Sequence, residues 1–147
     1  MDEWLVLGLL AAVSYSVSGL ATKVVLDKKY VGLDATAAAL LTMVGVVLAF
    51  TVFYLAYAGM KVPQLTPASA AAGIAIGFFW AVGAIMVYYG IIKGADISRM
   101  APVYNLNTLV IVALGILLLG EIPDRSAALR VGVGAVLIVA GGILVSV

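Results

Sequence analysis

The sequence DISRMAPVYNLNTLVIVALGILLLGE, residues 96–121, decides the fold. Its second half is a continuous apolar run of the kind that crosses a lipid bilayer. Its first half places a proline, a tyrosine, a threonine and two asparagines where a spanning helix normally avoids them. Polar side chains at that depth need hydrogen-bond partners that lipid does not supply. We therefore interpret the rest of the chain as the protein wall around this stretch.

Composition identifies the class of protein. The 147 residues are 65% hydrophobic and 10% charged, with a mean hydropathy of +1.25, which is too apolar for a water-soluble globule. The net charge of +1 comes from dispersed basic residues and indicates no nucleic-acid partner. The chain has no cysteine and no histidine, which excludes disulfides, thiolate metal sites and imidazole bases. We expect no metal and no cofactor.

Five segments have the length and apolarity of spanning helices, which need roughly 20 apolar residues to cross about 30 Å of hydrocarbon. They are residues 4–22, 35–58, 68–92, 98–119 and 126–147. The connections are short and carry nearly all the charge, and the apolar runs do not alternate as barrel strands do. The sequence thus predicts an all-α polytopic membrane protein with one five-helix transmembrane domain over residues 1–147. The first run follows Met-Asp-Glu-Trp without a basic region or cleavage site, so we expect this helix to be retained.

An odd number of spans places the two termini on opposite sides of the membrane. The first and third connections carry five basic residues, and the other side carries three (Lys61, Arg125 and Arg130). The positive-inside rule then predicts a multi-pass protein of the cell membrane with its amino terminus outside. The bias is small and also permits insertion in both orientations.

The fourth segment holds the main candidate binding residues. On an ideal helix four polar side chains fall within about 160° of arc and form one polar face. They are Tyr104, Asn105, Asn107 and Thr108. This face either binds solute or makes structural hydrogen bonds inside the bundle. Because Pro102 lacks an amide hydrogen, the helix either begins near Ala101 or bends at Pro102 and frees a carbonyl for a ligand.

Other positions allow two interpretations each. Ser14 and Ser18 share a helix face and either pack against a neighbour or line a cavity. Trp80 lies about half way along its span, where its indole serves core packing or forms an aromatic wall against the substrate.

Two pairs of glycines predict close helix contact, within the subunit or between subunits. They are Gly73 with Gly77 and Gly134 with Gly141, and Ala135 and Gly142 share a face in the same way as the second pair.

A family resemblance rests on the end of the fourth segment and on the fifth. Ala101-Pro102, then Leu119-Gly120-Glu121-Ile122-Pro123, then Gly132 and Ala140-Gly141-Gly142 resemble the last two helices of an EamA-type domain of the drug/metabolite transporter superfamily. The motifs cover about a third of the chain, and the number of spans extends the likeness to all of it. Family members often have a second proline at about the position where this chain has Thr108. The resemblance therefore does not imply a second break in the fourth helix of this chain.

The resemblance implies an assembly and a transport chemistry. Most members resembling this chain fuse two such domains as inverted halves around a substrate cavity, so a single domain implies an antiparallel homodimer. Small multidrug-resistance relatives exchange protons for cationic drugs through a glutamate in the first helix, but no acid lies between Glu3 and Asp27 here. Glu121 matches the Gly-Glu that ends the fourth helix in the family, and we interpret it as a structural anchor that pairs with Arg125 or Arg130.

The sequence supports two hypotheses of different classes. The first is a transporter of small neutral or zwitterionic metabolites that works by alternating access in the lipid bilayer. The second is a structural or accessory membrane subunit, or half of a heteromeric lipid-linked-sugar flippase, that docks a different protein through its last helix. An enzyme is not expected, because no segment brings together a nucleophile, a base and an acid.

Overall fold

The computed structural model describes residues 3–59, 61, 63–122 and 124–146. All regular secondary structure in these ranges is helical, and the predicted all-α fold class is confirmed. Five stretches are long and apolar enough to span a membrane, namely Glu3–Leu26, Ala35–Tyr57, Pro67–Ile92, Ile97–Leu119 and Arg125–Val145. The chain divides into two compact units, unit 1 up to Gly94 and unit 2 from Ala95 onwards, and each is described by itself. A single five-helix domain over residues 1–147 stays a prediction.

Unit 1 consists of three helices that contact one another pairwise. They are α1 (Glu3–Leu26), α2 (Ala35–Ala58) and α3 (Pro67–Ile92). The buried side chains of the unit are Leu26, Ala38, Tyr88 and Ile91. These residues lie at the end of α1, the start of α2 and the end of α3, so the packed core lies at the membrane end that carries the first and third connections.

Local hydrogen bonds fix the helix boundaries of unit 1. The first helix continues to Leu26, beyond its predicted end at residue 22, and its last turn carries an ion pair of Lys23 Nζ with Asp27 Oδ2 at 2.9 Å. The amide of Lys29 donates to Asp27 Oδ1, and this bond, with the Lys23 pair, holds the pKa of Asp27 below its usual value. At the start of α2, Asp34 accepts hydrogen bonds from the first turn, which is the N-cap arrangement.

One side-chain hydrogen bond joins α2 to α3. Thr42 Oγ1 and Tyr88 Oη lie 2.6 Å apart, and Tyr88 is only 7% exposed. A hydroxyl in an apolar environment is costly unless it is paired, so the two groups satisfy each other as they hold the helices together. The sequence does not predict this pair, because the pairing depends on which faces of the two helices meet.

Unit 2 consists of three helices and a π-helical turn. They are α4 (Ile97–Tyr104), α5 (Asn107–Leu114), the π-turn (Gly115–Leu119) and α6 (Arg125–Ser146). The last helix packs against both α4 and α5, and Gly115 and Ala135 are buried. The predicted span over 98–119 corresponds to Ile97–Leu119, and it is interrupted between Tyr104 and Asn107. The predicted end of the last helix at residue 147 lies outside the described residues.

Replacing Tyr88 by Phe removes the hydroxyl that pairs with Thr42 and leaves the ring in place. We expect Tyr88→Phe to lower the free energy of unfolding by roughly 0.6 kcal/mol, and by no more than about 1.7 kcal/mol, as for other hydrogen bonds between membrane helices. Thermal unfolding in detergent measures the change. Tyr89→Phe is the matched control, because Tyr89 is 54% exposed and its hydroxyl bonds to no described residue. Equal losses in both variants would contradict the role of this bond.

Candidate functional site

The break between α4 and α5 is a tightened turn at Asn105 and Leu106. The amide of Leu106 donates to the carbonyl of Val103 at 3.1 Å, and the amide of Thr108 donates to that of Asn105 at 3.0 Å. The amide of Leu109 likewise donates to the carbonyl of Leu106 at 3.1 Å. Each bond reaches three residues back instead of four, so the chain takes a 3₁₀-type step inside a membrane span.

This step releases backbone carbonyls from the helix. In a continuous α-helix the carbonyls of Pro102 and Tyr104 would accept from the amides of Leu106 and Thr108, which here bond elsewhere. The carbonyl of Ser98 also lacks its usual donor, because Pro102 has no amide hydrogen. The carbonyl oxygens of Ser98, Pro102 and Tyr104 therefore do not accept the hydrogen bond from the amide four residues later that an α-helix would give them. Irregular backbone at this depth is tolerated where it borders protein or a water-filled cavity.

The structure decides between the two sequence interpretations of Pro102. The helix begins at Ile97, well before Ala101, and Pro102 lies inside it. The break itself follows Pro102 by three residues, at Asn105. A proline weakens the preceding turn of a helix, and asparagine has a low helix propensity, so the two residue types together explain an interruption at this place.

The predicted polar residues all lie at the break. Tyr104 ends α4, Asn105 lies in the turn, and Asn107 and Thr108 begin α5. The 160° arc of an ideal helix does not apply, because a 3₁₀ step turns by about 120° per residue. None of these four side chains hydrogen-bonds to another residue in the part of the chain that the structure describes. An unpaired amide costs several kcal/mol in hydrocarbon, so these groups need water, solute or another protein group.

The remaining predicted binding residues lie in unit 1. Ser14 Oγ donates to the carbonyl of Leu10 at 2.9 Å, and the carbonyl of Ser18 accepts from Thr22 Oγ1 at 2.8 Å. Ser14 is thus satisfied within its own helix, which is compatible with packing and with a cavity wall. Trp80 is 49% exposed. The structure brings Tyr104 to Thr108 together, whereas a cavity shared with Ser14, Ser18 and Trp80 stays a prediction.

A close contact between α4 and α6 positions the break. A Cβ at Gly142 would lie 3.2 Å from the carbonyl oxygen of Pro102 and 3.3 Å from its Cβ. Only a residue without a side chain allows this approach, so α6 supports α4 just before the interruption. The contact face of α6 also carries the buried Ala135, seven residues earlier.

The four glycines predicted to pack are open in this chain. A Cβ at Gly73, Gly77, Gly134 or Gly141 would meet no atom within 4 Å, as far as the described residues are concerned. Their helix-packing role stays a prediction, and it now requires a partner other than those residues. Sequence spacing did not separate Gly134 and Gly141 from the pair Ala135 and Gly142, since both pairs are seven residues apart.

Glu121 folds back over the π-turn. Gly120 takes the left-handed conformation, with φ of 63°, and the amides of Gly120 and Glu121 both donate to the carbonyl of Gly115. A Cβ at Gly115 would lie only 2.6 Å from Glu121 Oε2, so the missing side chain makes room for the carboxylate. The role of Glu121 as a structural anchor stays a prediction, with which this geometry is compatible. The buried Gly115 was missed, because its part depends on the turn that follows.

The two acids near the start of α6 are directed to neighbouring groups and do not pair with its arginines. Asp124 Oδ2 accepts from Ser126 Oγ at 2.6 Å and from the amide of Ala127 at 2.8 Å, and these bonds hold the pKa of Asp124 below its usual value. The expected ion pair of Glu121 with Arg125 or Arg130 is not formed among the described residues. Neither Arg125 nor Arg130 forms an ion pair with an acid in the part of the chain that the structure describes.

Comparison with known proteins identifies the family. The model of the EamA-like transporter family matches residues 2–147 and so includes every predicted site residue. The resemblance inferred from the sequence is confirmed. Searches of curated proteins and of solved structures found no match.

The contact between Gly142 and Pro102 predicts opposite outcomes for two neighbouring substitutions. Gly142→Ala forces a methyl group against the Pro102 carbonyl, and overpacking of this kind costs about 1–3 kcal/mol. Gly141→Ala meets no described atom of its own chain and gains helix propensity, so we expect it to cause no loss of stability of the monomer. Thermal unfolding in detergent compares the two. An unfolding temperature for Gly142→Ala at or above that of Gly141→Ala would show that the contact does not form.

Proposed function

Because the chain belongs to the EamA-like transporter family, we propose that it carries small neutral or zwitterionic metabolites, such as amino acids, across the cell membrane. In this proposal it works by alternating access as an antiparallel homodimer. Membership of the family places the protein among the membrane transporters of the drug/metabolite superfamily. The solute class, the mechanism and the assembly are the steps that we add.

The interrupted span carries the proposal. Four polar side chains without described partners surround a step at which backbone carbonyls leave the helical pattern. Discontinuous helices of this kind form the binding sites of many secondary transporters, where freed backbone groups coordinate solute near the middle of the bilayer. Hydrogen bonds within the described part of unit 2 do not account for these side chains. Tyr104, Asn105, Asn107 and Thr108 are therefore our candidate solute-binding residues.

The donors and acceptors at the break fit a zwitterion. The carbonyl of Tyr104 can accept a hydrogen bond, as an ammonium group requires, whereas the carbonyl of Pro102 lies against Gly142 of α6. The side-chain amides of Asn105 and Asn107 can donate hydrogen bonds, as a carboxylate requires, and can also accept them. The spanning segments carry no acid at mid-depth, so nothing in them favours a cationic solute. Trp80, Ser14 and Ser18 complete the proposed cavity as an aromatic wall and two hydroxyl groups.

The proposed dimer follows from the number of helices and from the weak charge bias. Two copies in opposite orientations would reproduce the inverted halves that the fused relatives carry in one chain. Five basic residues against three is a difference small enough for insertion both ways. The open faces of Gly73 and Gly77 and of Gly134 and Gly141 are where close helix contact between copies would be possible.

The alternative is an accessory subunit or half of a heteromeric flippase. The same open face at Gly134 and Gly141 favours it, because a different membrane protein would fit there as well as a second copy. Purification from native membranes distinguishes the two. A stable homodimer that transports solute supports the first function, and an obligate second protein in the absence of uptake supports the alternative.

Replacing the asparagines tests the site directly. We expect Asn105→Leu and Asn107→Leu each to lower the uptake of the transported amino acid into proteoliposomes by about 5- to 150-fold, since an unmade hydrogen bond in a buried site costs roughly 1–3 kcal/mol. Thr51→Val is the control, because it also replaces a polar residue of a span by an apolar one, away from the break. Uptake that survives in both asparagine variants would disprove this binding site.

The absence of cysteine makes the orientation easy to measure. We expect Lys29→Cys in the first connection and Gln64→Cys in the second each to react with an impermeant thiol reagent from both sides of the membrane, with about half of the copies labelled from each side. Labelling of each site from one side alone, and from opposite sides for the two sites, would mean that all copies share one orientation, and the antiparallel dimer would be rejected.

A further inference from the structure

An apolar groove runs along one face of α6. It has a volume of about 650 Å³, and the π-turn contributes Ile116 to its wall. The face of α6 that lines it consists of Ala128, Leu129, Gly132, Val133, Val136 and Leu137. The larger of these side chains are mostly exposed, with Leu129 at 69% and Leu137 at 66%. An open apolar groove of this size fits a hydrocarbon chain or an apolar ligand.

A single charged residue, Arg125, lies at one end of this groove. No carboxylate of the described residues lies within 4.0 Å of its guanidinium group. The acids closest in sequence are engaged elsewhere, Asp124 with the first turn of α6 and Glu121 with the space over Gly115. The groove thus presents at its mouth a cation without an ion-pair partner among the described residues, and apolar side chains along its length. Its occupant should carry an anionic group at one end of an apolar tail.

The length of the groove fits one half of a bilayer. Arg125 and Leu137 are twelve residues apart on one helix, or about 18 Å at 1.5 Å per residue. One leaflet contributes about half of the roughly 30 Å of hydrocarbon, and Arg125 begins the spanning segment at the interface. We propose that this groove binds an anionic phospholipid, with the phosphate on Arg125 and one acyl chain along α6 between Leu129 and Leu137.

The groove is separate from the other two faces of α6. At 100° per residue, its centre between Gly132 and Val136 lies about 80° from Ala135, whose face packs against α4. It lies still farther from Gly134 and Gly141, the open face proposed for contact between copies. A lipid in the groove and a partner on the glycine face therefore do not compete. The proposal does not rest on the proposed transport function.

Lipid titration of the purified full chain in neutral detergent tests the site. Native mass spectrometry would count the bound molecules of phosphatidylglycerol and of phosphatidylcholine with the same acyl chains. We expect the chain to prefer phosphatidylglycerol by about fivefold, the factor that one basic side chain supplies near an anionic lipid surface. Arg125→Gln should abolish the preference. Arg130→Gln, the same charge change on the same helix but outside the groove, should keep it.

A second variant tests the acyl chain. Gly132→Leu fills the groove, where a Cβ meets no described atom, and should reduce the binding of both lipids while Arg125 is intact. Helix content by circular dichroism shows whether the variants are folded.

Equal effects of Arg125→Gln and Arg130→Gln would indicate general charge attraction and overturn the site. Displacement of phosphatidylglycerol by glycerol phosphate alone would reject the tail contact. A change in oligomer size in Gly132→Leu without a change in lipid binding would make the groove a contact between copies.

Discussion

Inside a bilayer a protein must satisfy its own backbone, and this constraint governs the arrangement of the chain. Almost every described residue of the spans is in a helix, where amides and carbonyls pair along the chain. The step at Asn105 and Leu106 departs from this pattern in the middle of a span. It places polar side chains and released carbonyls together. The contact of Pro102 in α4 with Gly142 in α6 holds the segment before the step in position. The candidate site lies where backbone groups are not paired within a helix.

Much of the fold follows from composition and from the length of the apolar runs. The positions of all five spans agree with the sequence, because hydrophobicity and turn residues act locally and need no knowledge of tertiary contacts. An interruption of the fourth span was predicted at Pro102, but the structure has it three residues later, at Asn105. Pro102 signals a weakened turn, but whether the helix begins, bends or steps there depends on the support that α6 provides at Gly142.

Contacts between helices were beyond the reach of the sequence. The hydrogen bond between Thr42 and Tyr88 requires the relative rotation of α2 and α3, which no periodicity specifies when nearly every face is apolar. In a soluble protein one hydrophobic stripe marks the core, but the lipid-facing side of a membrane helix is equally hydrophobic. For the same reason the sequence did not distinguish the packed pair, Ala135 and Gly142, from the open pair, Gly134 and Gly141.

The contact between Gly115 and Glu121 links two positions that are six residues apart. The carboxylate occupies the space that a side chain at 115 would take, so a larger residue at one position displaces the residue at the other. The two positions are therefore not independent in sequence variation. Related chains that gain a side chain at the position of Gly115 should also change the residue at the position of Glu121, and an alignment should show the pair changing together.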